Sequence, residues 1–369
     1  MTAPTVTPRI AMVTPGFQPY AGGVETHVLE VGRRLASRCR LTVLTTDPWG
    51  KLPPSEFING IEVRRFKSWP RKRDYFFAPT VLGAVARGKW DLVHCQGYHT
   101  FVAPLGMLGA IRAESPFIVT LHSGGPVSRM RQLLRRPQHA VLVPLLRRAA
   151  AVVAVSRFEA EHLGPRLQLK PNQVVVIPNG SDLPPSSNLR GRKEGLLVSV
   201  GRLERYKGHQ RVIASLPYVR RSWPEASLLV VGSGPYGRDL AQLVSRLGLH
   251  DHVRFTSLES ADRTGLSDIL SRASVFVSAS EYESQGVAAL EAVSARCPIV
   301  VTEGTALAEL AESGSAIAVS KTAGPQELAT AIIAQLEHAR PSAARSLPTW
   351  DDCADKTWTL YKAVLRLDA

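Results

Sequence analysis

The sequence predicts an α/β protein of two Rossmann-like domains, each a parallel sheet with helices between its strands. Three observations carry this. The chain has 369 residues, the length of two domains at roughly 100–200 residues each. Short, near-continuous apolar runs alternate with longer helical stretches from one end to the other. The alternation breaks off at Pro178 and resumes at Leu196.

The first series runs Arg9–Thr14 (strand), Val24–Ser37 (helix), then strands Leu41–Thr45, Leu92–Cys95, Phe117–Leu121, Ala151–Val155 and Val174–Ile177. Each strand run is apolar at successive positions, as strands buried on both faces of a parallel sheet are. Leu183 to Gly195 is rich in Pro, Ser and Gly and reads as a linker. The second series has strands at Leu196–Val200, Ser227–Val231, Val253–Phe255, Val275–Val277, Ile299–Val301 and Ala316–Val319. The expected organisation is an N-terminal domain over 1–183, a linker over 184–195 and a C-terminal domain over 196–349. Two such sheets on a short hinge are expected to face each other across a cleft at the carboxyl ends of their strands, where these folds bind ligands.

Composition narrows the class. Hydrophobic residues make up 44% and charged residues 21%, which excludes a disordered chain and a membrane bundle. Cys39, Cys95, Cys297 and Cys353 are far apart, so reduced thiols in a cytosolic chain are expected rather than a disulfide framework or zinc site. Met1 to Pro8 has no basic segment leading into an apolar one, so no signal peptide is expected. Ala140 to Val155 is the nearest approach to a membrane span, and Arg147 and Arg148 split it. The net charge is +14, and it is uneven: residues 1–185 hold 24 Lys and Arg against 11 Asp and Glu, residues 186–369 hold 21 against 20. An anionic partner is implied, and it belongs to the first half.

Four local patterns carry chemistry. Gly22-Gly23-Val24-Glu25 follows the first strand; paired glycines before a helix let a phosphate approach free N–H groups, and they also serve as a tight strand–helix turn. Gly201-Arg202 to Lys207-Gly208 follows the first strand of the second series. Two cations on one loop would stabilise a diphosphate and the charge that grows on it as it leaves; solvated surface cations are the competing reading. Glu283-Ser284-Gln285-Gly286-Val287 to Glu291 sets two carboxylates eight residues apart. With a helix starting near Gly286 they would meet different parts of one extended ligand, rather than act as acid and base across one bond. Acids at a helix start are also favoured by the dipole alone. His122 ends the strand Phe117–Leu121 before Ser123-Gly124-Gly125, at the cleft mouth or in the core.

Gly232-Ser-Gly234-Pro-Tyr-Gly237 fits G-x-G-x-x-G, but Asp251 precedes the next strand instead of ending it and Pro235 interrupts the motif. Dinucleotide binding is therefore not expected. The chain has no Asp-x-Asp pair to hold a metal against a diphosphate, so no metal and no cofactor are expected.

In order along the chain these are Gly-Gly-Val-Glu (22–25), Thr-Leu-His-Ser-Gly-Gly (120–125), Val-Ser-Arg-Phe (155–158), Ile-Pro-Asn-Gly-Ser-Asp (177–182), Val-Gly-Arg-Leu with Lys-Gly (200–208), Val-Gly-Ser-Gly-Pro (231–235) and Glu-x7-Glu (283–291). Together they resemble the retaining GT-B glycosyltransferases of family 4, over essentially the whole chain. The resemblance implies a nucleotide-diphospho-sugar donor, UDP-linked in preference to GDP-linked, bound mainly by the C-terminal domain. It implies that Arg202 and Lys207 hold the diphosphate, with Gly201 in the same loop and Gly22 and Gly23 assisting. Glu283 with Ser284, Gln285, Gly286 and Val287 would contact the sugar, Glu291 the ribose hydroxyls, and His122 the reactive face of the sugar. The acceptor would attack on the face the phosphate leaves, with the phosphate taking its proton. Residues 350–369 resemble the helix that returns to the N-terminal domain in this fold. One departure stands out: where the family usually carries an aromatic after the first Glu, this chain has Gln285.

The acceptor side is read from the basic half. Arg71, Lys72, Arg73 and Tyr75 form one basic and aromatic set, and a second includes Arg131 and Arg135. Such sets suit an anionic membrane surface, a phosphorylated acceptor or a plain solvated face. The expected acceptor is a hydroxyl of a lipid-linked or cell-envelope glycan, reached from the cytoplasmic face of the membrane. The alternatives are a small soluble acceptor, a phosphorylase or epimerase of the same architecture, and a non-catalytic sugar-nucleotide-binding module. No nucleic-acid partner is expected, since no recognised motif for one is present.

Overall fold

The computed structural model describes residues 7–20, 22–69, 76–122, 140–187, 191–259, 262–338 and 347–367. The chain divides into two compact units, one formed by Met1–Asn179 with Thr349–Ala369 and the other by Gly180–Pro348.

The first unit is built on an eight-stranded sheet in the order β3-β4-β2-β1-β5-β6-β7-β8. Its strands are β1 Arg9–Val13, β2 Arg40–Asp47, β3 Ser55–Ile58, β4 Ile61–Lys67, β5 Leu92–Gln96, β6 Phe117–Thr120, β7 Ala151–Ala154 and β8 Val174–Val176. All neighbouring pairs are parallel except β3–β4. Helices α1 Gly23–Leu35, α2 Thr80–Arg87, α3 Val102–Arg112 and α4 Arg157–Leu163 connect strands, with a further helical stretch at 140–146. One apolar cluster gathers Val13, Val93, Val119 and Val152 from the strands with Val81 and Val85 of α2 and Met107 of α3, all fully buried.

The β3–β4 hairpin is absent from the sequence reading. Its strands are polar on one face, so β4 alternates between buried and exposed positions and lacks the continuous apolar run of a central strand. The signal for it was Asn59-Gly60, at φ 50° and 80°, a two-residue turn of the kind that closes hairpins. The hairpin also alters the charge picture. Arg65 is 2% exposed and ion-paired to Glu56, and Arg64 is paired to Glu62 at 2.6 Å, so neither is a free surface cation.

The chain returns to this unit in α11 Trp350–Leu365. Thr349 and Asp352 form a reciprocal capping box at its start. Trp350 and Tyr361 are buried, Arg34 of α1 pairs with Asp351, and Arg38 pairs with Asp355 at 2.6 Å.

The second unit has a six-stranded, all-parallel sheet in the order β11-β10-β9-β12-β13-β14. The strands are β9 Leu196–Val200, β10 Ser227–Val231, β11 Val253–Thr256, β12 Val275–Ser278, β13 Ile299–Thr302 and β14 Ile317–Val319. Between and after them lie α5 His209–Ser222, α6 Gly237–Arg246, α7 Arg263–Arg272, α8 Val287–Ser294, α9 Ala308–Glu312 and α10 Pro325–Glu337. Both faces are covered. Val212 and Leu216 of α5 and Ile332 of α10 pack with Leu197 and Val230, and Leu270 of α7 and Leu290 of α8 pack with Val198 and Phe276. Segment 184–187, read as linker, is docked on this unit: Asp268 of α7 accepts from the Ser186 and Ser187 hydroxyls and from the Ser187 backbone N–H at 2.6–2.8 Å.

Candidate functional site

In the second unit, the loops after β9, β10 and β12 come together because those strands are neighbours. After β9 the chain runs through Gly201 and Arg202 into a 3₁₀ turn, Arg205–Lys207, and enters α5 at Gly208. Gly208 sits at φ 75°, and a Cβ there would run into the Ala279 carbonyl oxygen. Only glycine lets the two loops approach this closely. Beyond it, the Glu281 N–H donates to the Tyr206 carbonyl at 2.8 Å, and the Ser280 hydroxyl donates to the Lys207 carbonyl at 3.2 Å.

These ties bring Lys207 against Glu283. The Lys207 ammonium donates to Glu283 Oε1 at 2.8 Å, and the single Ser280 hydroxyl proton is shared between that oxygen, at 2.9 Å, and the Lys207 carbonyl. The Lys207 and Glu283 side chains are 20% and 14% exposed. Burial works against the ammonium charge, but Glu283 and the nearby Tyr206 and Glu204 outweigh it and raise the Lys207 pKa. Arg202 keeps its side chain half exposed and pairs with Glu204 at 2.8 Å. It does not join the Lys207 pair.

Gly286 caps α8 at φ 77°, so Val287 is the first helical residue. Glu283 therefore lies in the preceding loop and Glu291 in the second turn, as expected for a helix that starts near Gly286. Glu291 is only 2% exposed and pairs with Arg263, the first residue of α7, at 2.5 Å. It is not a surface acid at a helix start. Gln285, which replaces the usual aromatic, is buried, and Ser284 is partly buried.

The G-x-G-x-x-G match also has a structural reason. A Cβ on Gly232 would meet the Gly201 carbonyl oxygen, and one on Gly234 the Leu203 backbone. Gly201 N–H donates to Val231, Leu203 N–H to Ser233 and Tyr236 N–H to Leu203, at 2.9–3.0 Å. The glycines dock one loop on the Gly201–Leu203 loop.

The first unit holds the other predicted residues. Gly22 caps α1 and Gly23 begins it. The Glu25 carboxylate folds back over Gly22 and Gly16, so an acid already occupies space beside this helix start. His122 follows β6 at φ 42° and is 6% exposed. Its Nε2 lies 2.9 Å from Gln96 Oε1, and its ring stands edge-on to His27 with centroids 4.7 Å apart. His27 Nδ1 is 2.6 Å from Asn179 Oδ1, while His27 Nε2 and Gln96 Nε2 are buried with no hydrogen-bond partner among the described residues. His94 bonds Tyr361 of α11 and Thr120 of β6, each at 2.7 Å. Burial pushes His27 down to about 4 and holds His94 and His122 well below their ordinary range, with the neighbouring rings adding to the effect on those two. All three are neutral at neutral pH. Arg71, Lys72, Arg73, Tyr75, Arg131 and Arg135 lie outside the described residues.

Two family models together match residues 21–346 of this chain: Glycosyltransferase Family 4 over residues 21–184 and Glycosyl transferases group 1 over residues 184–346. The chain is a family 4 glycosyltransferase. Among curated relatives of this glycosyltransferase, the GDP-mannose:cellobiosyl-diphosphopolyprenol alpha-mannosyltransferase of Xanthomonas oryzae pv. oryzae is 26% identical over 326 residues, covering 85% of this chain and 83% of its own. The phosphatidyl-myo-inositol mannosyltransferase of Mycobacterium tuberculosis is 29% identical over 328 residues, covering 83% and 80%. Among solved structures, sucrose-phosphate synthase from Thermosynechococcus elongatus superposes at a TM-score of 0.80 with 21% identity, covering 97% of this chain and 99% of that one. Anabaena HepE in complex with UDP and glucose gives 0.77 with 20% identity, covering 96% and 100%. These likenesses establish the GT-B fold.

The glycosyltransferase has site neighbours that the sequence did not single out. Ser280 lies beside Glu283 in the loop and carries no motif of its own. Arg263 is 28 residues from Glu291 and pairs with it only because α7 and α8 pack on one face of the sheet. His27, Gln96 and Asn179 come from α1, the end of β5 and the segment after β8, and nothing short of the fold brings them together.

Proposed function

We propose that the chain is a retaining hexosyltransferase that moves a sugar from a nucleotide-diphosphate donor to a hydroxyl of a lipid-linked or cell-envelope glycan, without a metal. The observation that carries this is the Lys207–Glu283 pair at the carboxyl edge of the second sheet, with Glu291 buried one helix turn beyond. Lys207 and Arg202 supply cations for the diphosphate. Glu283 and the start of α8 supply an acceptor and backbone donors for sugar hydroxyls, and Glu291 supplies a carboxylate for the ribose.

In the reaction the bond between the anomeric carbon and the β-phosphate oxygen breaks as the acceptor oxygen bonds that carbon on the same face. The acceptor proton passes to the departing phosphate oxygen. The charge that accumulates on the diphosphate is what Lys207 and Arg202 stabilise, so the step is driven by fixed electrostatics and needs no protein base. A neutral His122 suits a hydrogen-bonding role toward the sugar and cannot act as an acid near pH 7. UDP-hexoses and GDP-mannose are both candidate donors, the second because of the curated relatives' names.

A donor screen that follows nucleotide release, first without and then with lipid-linked and soluble acceptors, tests this. Release from one donor that rises with acceptor and survives chelator is expected, with an α-linked donor giving an α-linked product. Inversion of the anomeric centre, or complete loss on chelation with recovery on Mg²⁺, counts against the corresponding part.

A further inference from the structure

Arg263 and Glu291 each sit where electrostatics alone disfavours them. Glu291 is a nearly dry carboxylate, and removing one from water is costly unless it is paired. Arg263 is a cation in the first turn of α7, the end where the helix dipole is positive. Asp262 already caps that helix by accepting from Gly265 N–H at 2.8 Å, so the helix start does not require the arginine. The two side chains meet at 2.5 Å with 16% and 3% exposure. A buried ion pair of this kind is generally no more stabilising than a well-packed apolar pair. Its location is the informative part: α7 and α8 follow β11 and β12, so both helices start at the carboxyl edge of the sheet, where open α/β sheets bind ligands.

We propose that Arg263 is a positioning residue for the nucleotide half of the donor. Its guanidinium fixes the Glu291 carboxylate in the rotamer that accepts the ribose hydroxyls. The inference rests on the reading of Glu291 as the ribose ligand and adds the residue that makes that ligand competent. The nucleoside does not change charge during transfer, so Arg263 contributes to nucleotide affinity equally in ground and transition states. That separates it from Lys207, whose contribution grows with the charge on the leaving group.

The test uses the full chain and three probes: UDP, GDP and inorganic pyrophosphate, which lacks the ribose. Calorimetry is run on wild type, Arg263→Gln, Glu291→Gln and the double variant Arg263→Gln/Glu291→Gln. Arg263→Gln is expected to weaken the preferred nucleotide by about tenfold or more, on the scale of one hydrogen bond to a charged group, and to leave pyrophosphate affinity unchanged. The double variant removes both buried charges and so restores folding, but it is expected to keep the weak nucleotide affinity. Wild-type nucleotide affinity in Arg263→Gln, with affinity lost in Glu291→Gln, overturns the inference and leaves the ribose reading standing. Equal loss toward nucleotide and pyrophosphate, or recovery of nucleotide affinity in the double variant, reduces Arg263 to a fold-stabilising role and also overturns it. Unchanged nucleotide affinity in Glu291→Gln overturns the ribose reading and the inference together.

Discussion

Lys207 reaches Glu283 because Gly208 turns the chain at a backbone angle that side-chain-bearing residues avoid, and because Ser280 is hydrogen-bonded to both partners. A lysine so held contributes a fixed positive charge with little reorganisation on ligand binding, which is what stabilising a departing diphosphate requires. Lys207→Ala is therefore expected to lower turnover by about 10²-fold or more while the protein still melts cooperatively. Near-wild-type turnover defeats the role given to this residue. The histidines make a second statement at this scale. His27 in the first unit and His209 in the second are both pushed by burial from 6.5 to about 4. In the unfolded chain each imidazole takes its proton near pH 6.5; in the fold it does so only near 4, so the unfolded state binds more protons between those values. Stability is full above about pH 6.5 and falls as the pH is lowered toward 4. His27→Gln and His209→Gln should each flatten that slope in denaturant melts, and an unaltered slope in both would mean that other groups govern acid unfolding. Of the residues named from local pattern, the structure pairs Lys207 with Glu283 and buries Glu291 and His122, while Arg202 pairs with Glu204 instead. Their partners were not legible in the sequence, because Arg263, Ser280, Gln96 and Asn179 are polar residues of ordinary local context whose neighbours are set by tertiary packing.

Elements show the same division more sharply. Central strands such as β1, β5, β9 and β12 announce themselves as apolar runs because both faces are covered. The β3–β4 hairpin escaped because it lies at a sheet edge with one wet face, although its Asn59-Gly60 turn was plain. The loops at the carboxyl edge of the second sheet, to which the proposed function assigns the donor, are held by backbone contacts. Gly208 is the tightest point. Its φ of 75° and the Ala279 carbonyl that faces it leave no room for a methyl group, and backbone cannot swing aside as a side-chain tip can. Gly208→Ala is expected to cost about 2–4 kcal/mol and lower the melting temperature by roughly 5–10 °C. Nucleotide affinity should fall with it, since α5 and the 3₁₀ turn carrying Lys207 both move. A Gly208→Ala protein with unchanged melting would show that the two loops can separate without loss.

At the scale of the whole molecule, the excess positive charge belongs to the first half of the sequence, whereas the loop proposed to hold the diphosphate lies in the second. On that proposal the donor does not account for it; Arg64 and Arg65 pair with Glu62 and Glu56, acids the net charge already counts, so the excess resides on other residues. In the sequence the basic run Arg71, Lys72 and Arg73 is flanked by the aromatics Trp69 and Phe77. Trp69 and Phe77 exchange backbone hydrogen bonds at 3.0 and 2.9 Å. Trp69 is 72% exposed and Phe77 45%, and Phe101 packs edge-on to Phe77 at 6.0 Å while itself 47% exposed. Among the described residues no helix is long and apolar enough to cross a membrane. Exposed aromatics that flank a run of cations in the sequence fit the interface of an anionic bilayer, where each cation near the surface contributes about 1 kcal/mol and an aromatic ring sits at headgroup depth. The charge asymmetry was legible in the sequence, but which aromatics stand out from the surface was not. The protein is expected to bind vesicles containing phosphatidylglycerol, to release them as salt is raised and the screening length drops below about 10 Å, and to ignore neutral phosphatidylcholine vesicles. Replacing Trp69 and Phe77 by Ser should weaken vesicle binding by about tenfold and leave UDP and GDP affinity unchanged, because the aromatic pair and the nucleotide loops belong to different units. Failure of the wild-type protein to bind anionic vesicles at low salt sinks the membrane reading and directs the search for the anionic partner to a phosphorylated acceptor.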